Sequence, residues 1–338
     1  MKTTIKDVAK LANVSISTIS RVMNSPEIVA PEKRQRVLEA IEQLRYHPNA
    51  LARGLIFKKT KTIGVLVPDV SNAYYAEAIR GMEDAAREMG HNIILSNTDK
   101  NKKRLGDSLQ VMAEKRVDGL IFMSEPVSSE DYELLRATGL PLVLAATHSL
   151  EYDIPSIKVN DEQAAYDGAV YLIGQGHRRI AMISGRPADT VAGLPRLQGF
   201  LRALRDAGLE LDVERCVAYG DYRFEHGYEA MKRLHRSYPE LTAVFAMSDE
   251  MGLGALSYLH EVGVKIPAEV SVLGFDNTRM ASMAIPPLTT VGQPIARIGY
   301  GAVQKLLKVL DGEACELRTE LAHELVVRDS VIALISQQ

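Results

Sequence analysis

Residues 3–24 read TTIKDVAKLANVSISTISRVMN, and the spacing within them sets the character of the whole chain. Ile5, Val8, Ala9 and Ala12 recur at helical intervals and make one apolar stripe. Asn13 interrupts the run, and Ser15 is placed as the N-cap of a second helix. On that helix Ile19 and Val22 fall toward the first, while Ile16, Ser17, Ser20 and Arg21 point outward. Small polar and basic side chains at the exposed N-terminal end of a second helix suit the major groove of DNA. A hairpin that merely fills a globular core would show the same periodicity. The placing of the turn and the sequence that follows favour a DNA-reading helix-turn-helix.

Charge supports that reading once it is divided along the chain. The net charge is −3, with 46% hydrophobic and 25% charged residues. Residues 1–60 carry 11 Lys and Arg against 5 Asp and Glu, and the rest carries 29 against 38. A basic head on an acidic body draws a polyanion to the head alone. Cys216 and Cys315 lie far apart, with no CxxC and no His cluster beside them. They read as two reduced thiols of a cytoplasmic protein, and no metal or cofactor is expected. No apolar run reaches the length of a membrane span, and no secretory signal is visible at the N-terminus.

Pro31 suits the first turn of a third helix, with Val37, Ala40, Ile41 and Leu44 as its buried face. Tyr46-His47-Pro48 ends it. The octamer NALARGLI (49–56) is too short to hold a helix alone in water, so it reads as a linker that orders when something docks on it. From Lys61 the pattern changes. TIGVLVP (62–68), NIILSN (92–97), GLIFMS (119–124) and PLVLAA (141–146) suit buried parallel strands, with helical stretches between them. RIAMISG (179–185), AVFAMS (243–248) and SVLGFD (271–276) repeat the plan, with helices near 161–175, 193–207, 223–236 and 249–262. Two such series predict two doubly wound α/β lobes with a cleft between them.

With these stretches in view, the sequence resembles the lactose/galactose repressor (LacI/GalR) family over its full length. The likeness is carried by TIKDVAKLANVSISTISRVMN, YHPNALARGL, PDVSNAYYAEAIRGME, DGLIFM, GHRRIAMISG, RLQGF, SDEMGLGAL and VLGFDNTRMASMAIPPLTTVGQP. It implies an α plus α/β chain: a helix-turn-helix head (1–48), a hinge helix and linker (49–60), and a two-lobed core like a type I periplasmic binding protein (61–338). The N-lobe would span about 61–160 and 294–322, and the C-lobe about 161–293 and 323–338. The partners implied are operator DNA, a second copy of the chain in a homodimer, and a small-molecule effector, a sugar or sugar phosphate.

The resemblance also assigns residues. Ile16 and Ser17 stand where the family discriminates operators, beside Ser20, and Arg21 matches the Arg that reaches a guanine. Thr4, Ser15, Thr18 and Asn24 are placed for phosphates. In the hinge, Leu55 matches a minor-groove wedge, accompanied by Asn49, Ala52 and Arg53. For the effector, the core offers Asp69, Asn72, Tyr74, Tyr75, Arg196, Tyr222, Ser248, Asp249 and Asp276. Arg196 and Asp276 would grip polar groups and Tyr222 would stack, although an Arg facing an Asp is also a common structural ion pair. Sugar-responsive relatives often carry an acid or amide near Met123 and Ala146, which this chain lacks.

NIILSNTDKN, PLVLAA and FDNTR look most like the catabolite-control branch of the family. That branch uses a Tyr-Asp pair and a downstream Arg to hold the seryl-phosphorylated phosphocarrier HPr. Here those positions read Ala296, Arg297 and Gln304, so phosphorylated HPr is only an alternative input. An enzyme is disfavoured: GLGAL (252–256) lies inside a helical pattern, no GxGxxG follows the first strand, and no triad, HExxH or P-loop appears. A transport binding protein would share the core but not the basic hairpin.

Overall fold

The computed structural model describes residues 3–24, 26–46, 60–210 and 212–334. The chain divides into two compact units, Met1–Thr60 and Lys61–Gln338. In the first, α1 (Ile5–Ala12), α2 (Ile16–Asn24) and α3 (Pro31–Gln43) pack around Val8, Ala12, Ile19, Val22, Val37 and Ala40. The apolar stripe read from the sequence is the buried one. Asn13 ends α1 in the left-handed conformation, φ 51°, where asparagine is tolerated better than most residues. The Ser15 hydroxyl then accepts the Thr18 N–H at 3.2 Å and opens α2. Asp7 takes the Thr4 N–H and hydroxyl at 2.8 and 2.7 Å, securing the start of α1.

The second unit holds two six-stranded sheets. β1 (Thr62–Val67), β2 (Asn92–Asn97), β3 (Gly119–Met123), β4 (Leu142–Ala145), β5 (Ser156–Val159) and β11 (Arg318–Leu321) form the first, in the order β11-β5-β4-β3-β1-β2 and wholly parallel. β6 (Ile180–Gly185), β7 (Val217–Gly220), β8 (Ala243–Ala246), β9 (Ser271–Asp276), β10 (Thr289–Gly292) and β12 (Glu324–Val326) form the second, ordered β12-β10-β9-β8-β6-β7, with β12 antiparallel. The chain crosses between the sheets three times: after β5, after β10, and between β11 and β12.

Alternation along the strands sends side chains to both faces. Ile63, Val65, Ile121 and Val143 face the helices Ala73–Glu88 and Ile295–Leu310, while Leu66, Leu120, Phe122 and Leu144 face Leu105, Leu109, Met112 and Leu135. A parallel sheet needs this double cover.

The strand reading needs two corrections. NIILSN is no buried strand; β2 is a sheet edge with Leu95 partly exposed. Five strands, β5, β7, β10, β11 and β12, went unread. β5 carries the charged Lys158, and β10 buries two threonines whose hydroxyls are satisfied by the Arg328 N–H and by Asp249. Neither looks apolar in sequence, because the partners that make burial affordable lie far along the chain.

Candidate functional site

On the head, the outer face of α2 presents Ile16, Ser17 and Arg21 to solvent. Ser20 is half-buried, and the Ser15 hydroxyl bonds to those of Ser17 and Thr18 at 2.8 and 2.9 Å. Ser15 and Thr4 therefore serve the helix termini in this structure, whatever they offer a phosphate. The side chain of Asn24 and the hinge positions Asn49, Ala52, Arg53 and Leu55 lie outside the described residues.

The cleft is built where the carboxyl ends of both sheets meet. Its space of about 690 Å3, part of it continuous with solvent, is bounded by Asn72, Tyr74, Tyr75, Arg196, Tyr222, Ser248 and Asp276 among those foreseen. Asp69 stands at the rim instead, paired with Arg223 of the other lobe. Asp249 is a correction of another kind: fully buried behind the wall, it accepts the Thr278 N–H and the Thr290 hydroxyl, each at 2.6 Å. It braces Thr278, which does line the cleft. Met123 also lies away from the cleft, at 0% exposure in the sheet core, whereas Ala146 borders it.

Arg196 is the centre of the floor. Its Nε donates to Asp161 Oδ1 at 2.8 Å and its Nη1 to the Met247 carbonyl at 2.6 Å, and the guanidinium lies 3.8 Å over the Phe275 ring. Lys158 binds the other Asp161 oxygen at 2.8 Å and donates to the Val191 carbonyl at 3.1 Å. Burial alone would raise the Asp161 carboxyl, but these two cations overcome it and hold it below its usual range. Asp276 faces Arg196 at the longer distance of 3.9 Å and accepts from Gln293 at 2.7 Å. There burial wins, and its carboxyl sits well above the ordinary value.

The reading from sequence missed Asp161, Lys158, Gln293, Asp189, Glu250 and Thr278 among the lining residues. Asp161 and Lys158 had a faint signal: a lysine in an apolar strand three residues before an acid that opens a helix. Asp189 had none. It accepts the Tyr222 hydroxyl at 2.6 Å and so fixes the ring that the sequence had singled out.

Polarity is unevenly shared. The acids Asp161, Asp189, Glu250 and Asp276 all come from the C-lobe, against Asn72, Ser124, two tyrosines, Ala146 and the cations Lys100 and Lys158 from the N-lobe. The lobes touch across the opening, where Asn72 donates to Glu250 at 2.7 Å. Left-handed backbone at non-glycine residues also gathers here: Lys100, Ser124, Ala146, Tyr222 and Asp276 have φ of 51, 54, 53, 59 and 116°. Such conformations cost energy and persist where surrounding structure enforces them, typically around ligand sites.

Residues 4–49 match bacterial regulatory proteins of the lacI family, and residues 169–331 match the periplasmic binding protein-like domain. Catabolite control protein A of Priestia megaterium is 42% identical, over 98% of this chain and 99% of its own. The chain belongs to the LacI family of transcriptional regulators. The repressor PurR of Histophilus somni is 38% identical over 98% of this chain and 99% of its own. Among solved structures, the lac repressor dimer bound to operator and an anti-inducer superposes with a TM-score of 0.88 at 28% identity, covering 98% of this chain and all of that one. The chain is thus a DNA-binding transcriptional regulator and not an enzyme. Among its described residues no helix is long and apolar enough to cross a membrane.

Proposed function

We propose that this LacI-family regulator represses carbohydrate genes by binding a pseudo-palindromic operator as a homodimer, and that an uncharged, hydroxyl-rich ligand in the cleft governs that binding. The observation that carries the ligand class is the commitment of the floor cations. Arg196 and Lys158 share Asp161, and Arg196 also faces Asp276, so the floor cations are held within the wall by acids of the protein itself. Beside them the wall offers carboxylates, amides and hydroxyls, with Lys100 turned to Asp221 at 3.4 Å, and such a set suits a sugar better than a sugar phosphate. The solved relative CelR, 34% identical with a TM-score of 0.74, forms a complex with cellobiose. Exposed Met283 and Ile285, at 60% and 94%, supply an apolar surface for a second copy. Ile16, Ser17 and Arg21 would read the operator.

Operator DNA selected from a random pool, titrated by fluorescence anisotropy with and without a sugar panel, tests this reading. A sugar should shift operator affinity, and Arg196→Ala should remove the shift. A panel in which only sugar phosphates act would overturn the ligand class.

Identity to catabolite control protein A favours a second reading, with seryl-phosphorylated HPr as corepressor. Ala296, Arg297 and Gln304 are exposed on the helix Ile295–Leu310. Gln304 cannot make the bidentate contact an Arg offers a phosphoserine, so weak binding is expected. Micromolar binding of the phosphoprotein in calorimetry, unchanged by Arg196→Ala, would favour this second reading.

A further inference from the structure

Away from the cleft, the helix Ile295–Leu310 and the strands β5 and β11 bound a groove of about 800 Å3, part of it continuous with solvent. It shares no residue with the cleft. Its charge is one-sided: Arg297, Lys305 and Lys308 stand against a single acid, Glu316. Helical spacing brings the three cations to one face of the helix. The Glu316 carboxylate accepts the Thr319 hydroxyl at 2.6 Å. Arg297 and Lys308 are exposed and make no hydrogen bond or ion pair among the described residues.

Lys305 differs from both. It is 7% exposed, and lysine is almost never so buried unless an acid pairs with it. Its partner is the Glu316 carbonyl, which takes one of the three N–H bonds an ammonium offers. Burial draws the amine below the usual lysine value against the pull of Cys315 and Glu316, and Lys308 adds to the lowering. A desolvated lysine beside a second cation presents more of its unprotonated form, and that form is the nucleophile. The groove therefore joins an amine in its wall to two unspent cations that suit a phosphoryl group. A molecule that answers both carries a phosphate on an electrophilic carbonyl.

We propose that Lys305 is a modification site, acylated by small acyl phosphates that Arg297 and Lys308 seat in the groove. The unprotonated amine attacks the carbonyl carbon of the acyl phosphate. A C–N bond forms, the C–O bond to the phosphate breaks, and the phosphate leaves with the electron pair while the surplus amine proton passes to solvent. The acyl-lysine keeps one N–H for the Glu316 carbonyl but carries no charge, so the modified groove attracts anions less. This inference is independent of the sugar reading of the cleft.

Acetyl phosphate added to the full-length protein near neutral pH, with acetylation followed at each lysine by peptide mass spectrometry, tests it. Lys305 should be acetylated about five-fold faster than the exposed Lys103 and Lys265. Excess inorganic phosphate should slow Lys305 and leave those two unchanged. With acetic anhydride, which carries no phosphate, Lys305 should lose its lead, because nothing then seats the reagent beside so shielded a side chain. Arg297→Ala combined with Lys308→Ala should bring its rate with acetyl phosphate within about two-fold of the reference lysines. Equal rates at Lys305, Lys103 and Lys265 in the parent protein would overturn the proposal. A lead that survives excess phosphate or the double substitution, or that acetic anhydride reproduces, would overturn it as well, leaving a reactive amine with no seat for the phosphate.

Discussion

Arg21 and Asp161 show how differently two charged residues serve. Arg21 is exposed on α2 and no side chain among the described residues holds it, so its loss should leave the head folded. Arg21→Ala is expected to weaken operator binding by about 1–3 kcal/mol while random-sequence DNA is bound nearly as before. Equal loss on both DNAs, in the same anisotropy titration, would make Arg21 a phosphate contact. Asp161 is the reverse case, buried to 5% exposure between two cations. Asp161→Ala strands both, and breaking a buried pair typically costs about 3–5 kcal/mol. Urea unfolding should show that loss; a change below 1 kcal/mol would mean that water or Asp276 takes over the cations.

At the scale of elements, the closest approach in the N-lobe joins the helices Ala73–Glu88 and Ile295–Leu310. A Cβ on Gly299 would lie 2.0 Å from the Ala78 carbonyl oxygen, and one on Gly81 equally near that of Ala296. Only glycines let these backbones touch. Gly299→Ala must push the helices apart and should lower stability by about 1–3 kcal/mol or more. Gly106, within the helix Lys102–Lys115, offers the contrast, since nothing lies within 4 Å of its Cβ site. There an alanine relieves the entropy of a helical glycine and should raise stability by about 0.5–1 kcal/mol. Thermal unfolding of the pair checks both signs. The helix Ala73–Glu88 was legible, because its apolar periodicity is local, whereas Ile295–Leu310 was not read from its own periodicity. The glycine contact was not legible, since Ala78 and Gly299 are far apart in sequence and meet only in the packed lobe.

For the molecule as a whole, buried acids at the cleft make stability depend on pH. Burial pushes Asp249 up to about 6, against the pull of hydrogen bonds from Thr290 and Thr278. Its ordinary value is near 3.8, so between about pH 4 and pH 6 the folded chain binds the proton more tightly than the unfolded one. This group therefore favours folding most at the acid end of that window and loses the benefit as pH rises through 6. The loss is on the order of 2–3 kcal/mol. Asp276 acts in the same direction. Chemical unfolding at pH 4.5 and 7.5 should show a smaller difference for Asp249→Asn than for the parent; an unchanged difference would place the titration elsewhere.

The sequence by itself determined the head, because three short helices bury one stripe of local periodicity and the turn residues Asn13 and Ser15 carry their own geometry. It also determined the two-fold α/β plan, written as apolar runs between amphipathic helices. It foresaw seven of the cleft residues, those standing near strand ends or in quoted motifs. Only the tertiary structure decided that Asp249 braces the wall from behind, that Asp69 belongs to the rim, and that Arg196 answers chiefly to Asp161 and not to Asp276. Those outcomes depend on the direction of a buried side chain and on a partner tens or hundreds of residues away. Charge placed in low dielectric is settled by its nearest counter-charge, and nearness of that kind exists only after the chain has crossed three times between its lobes.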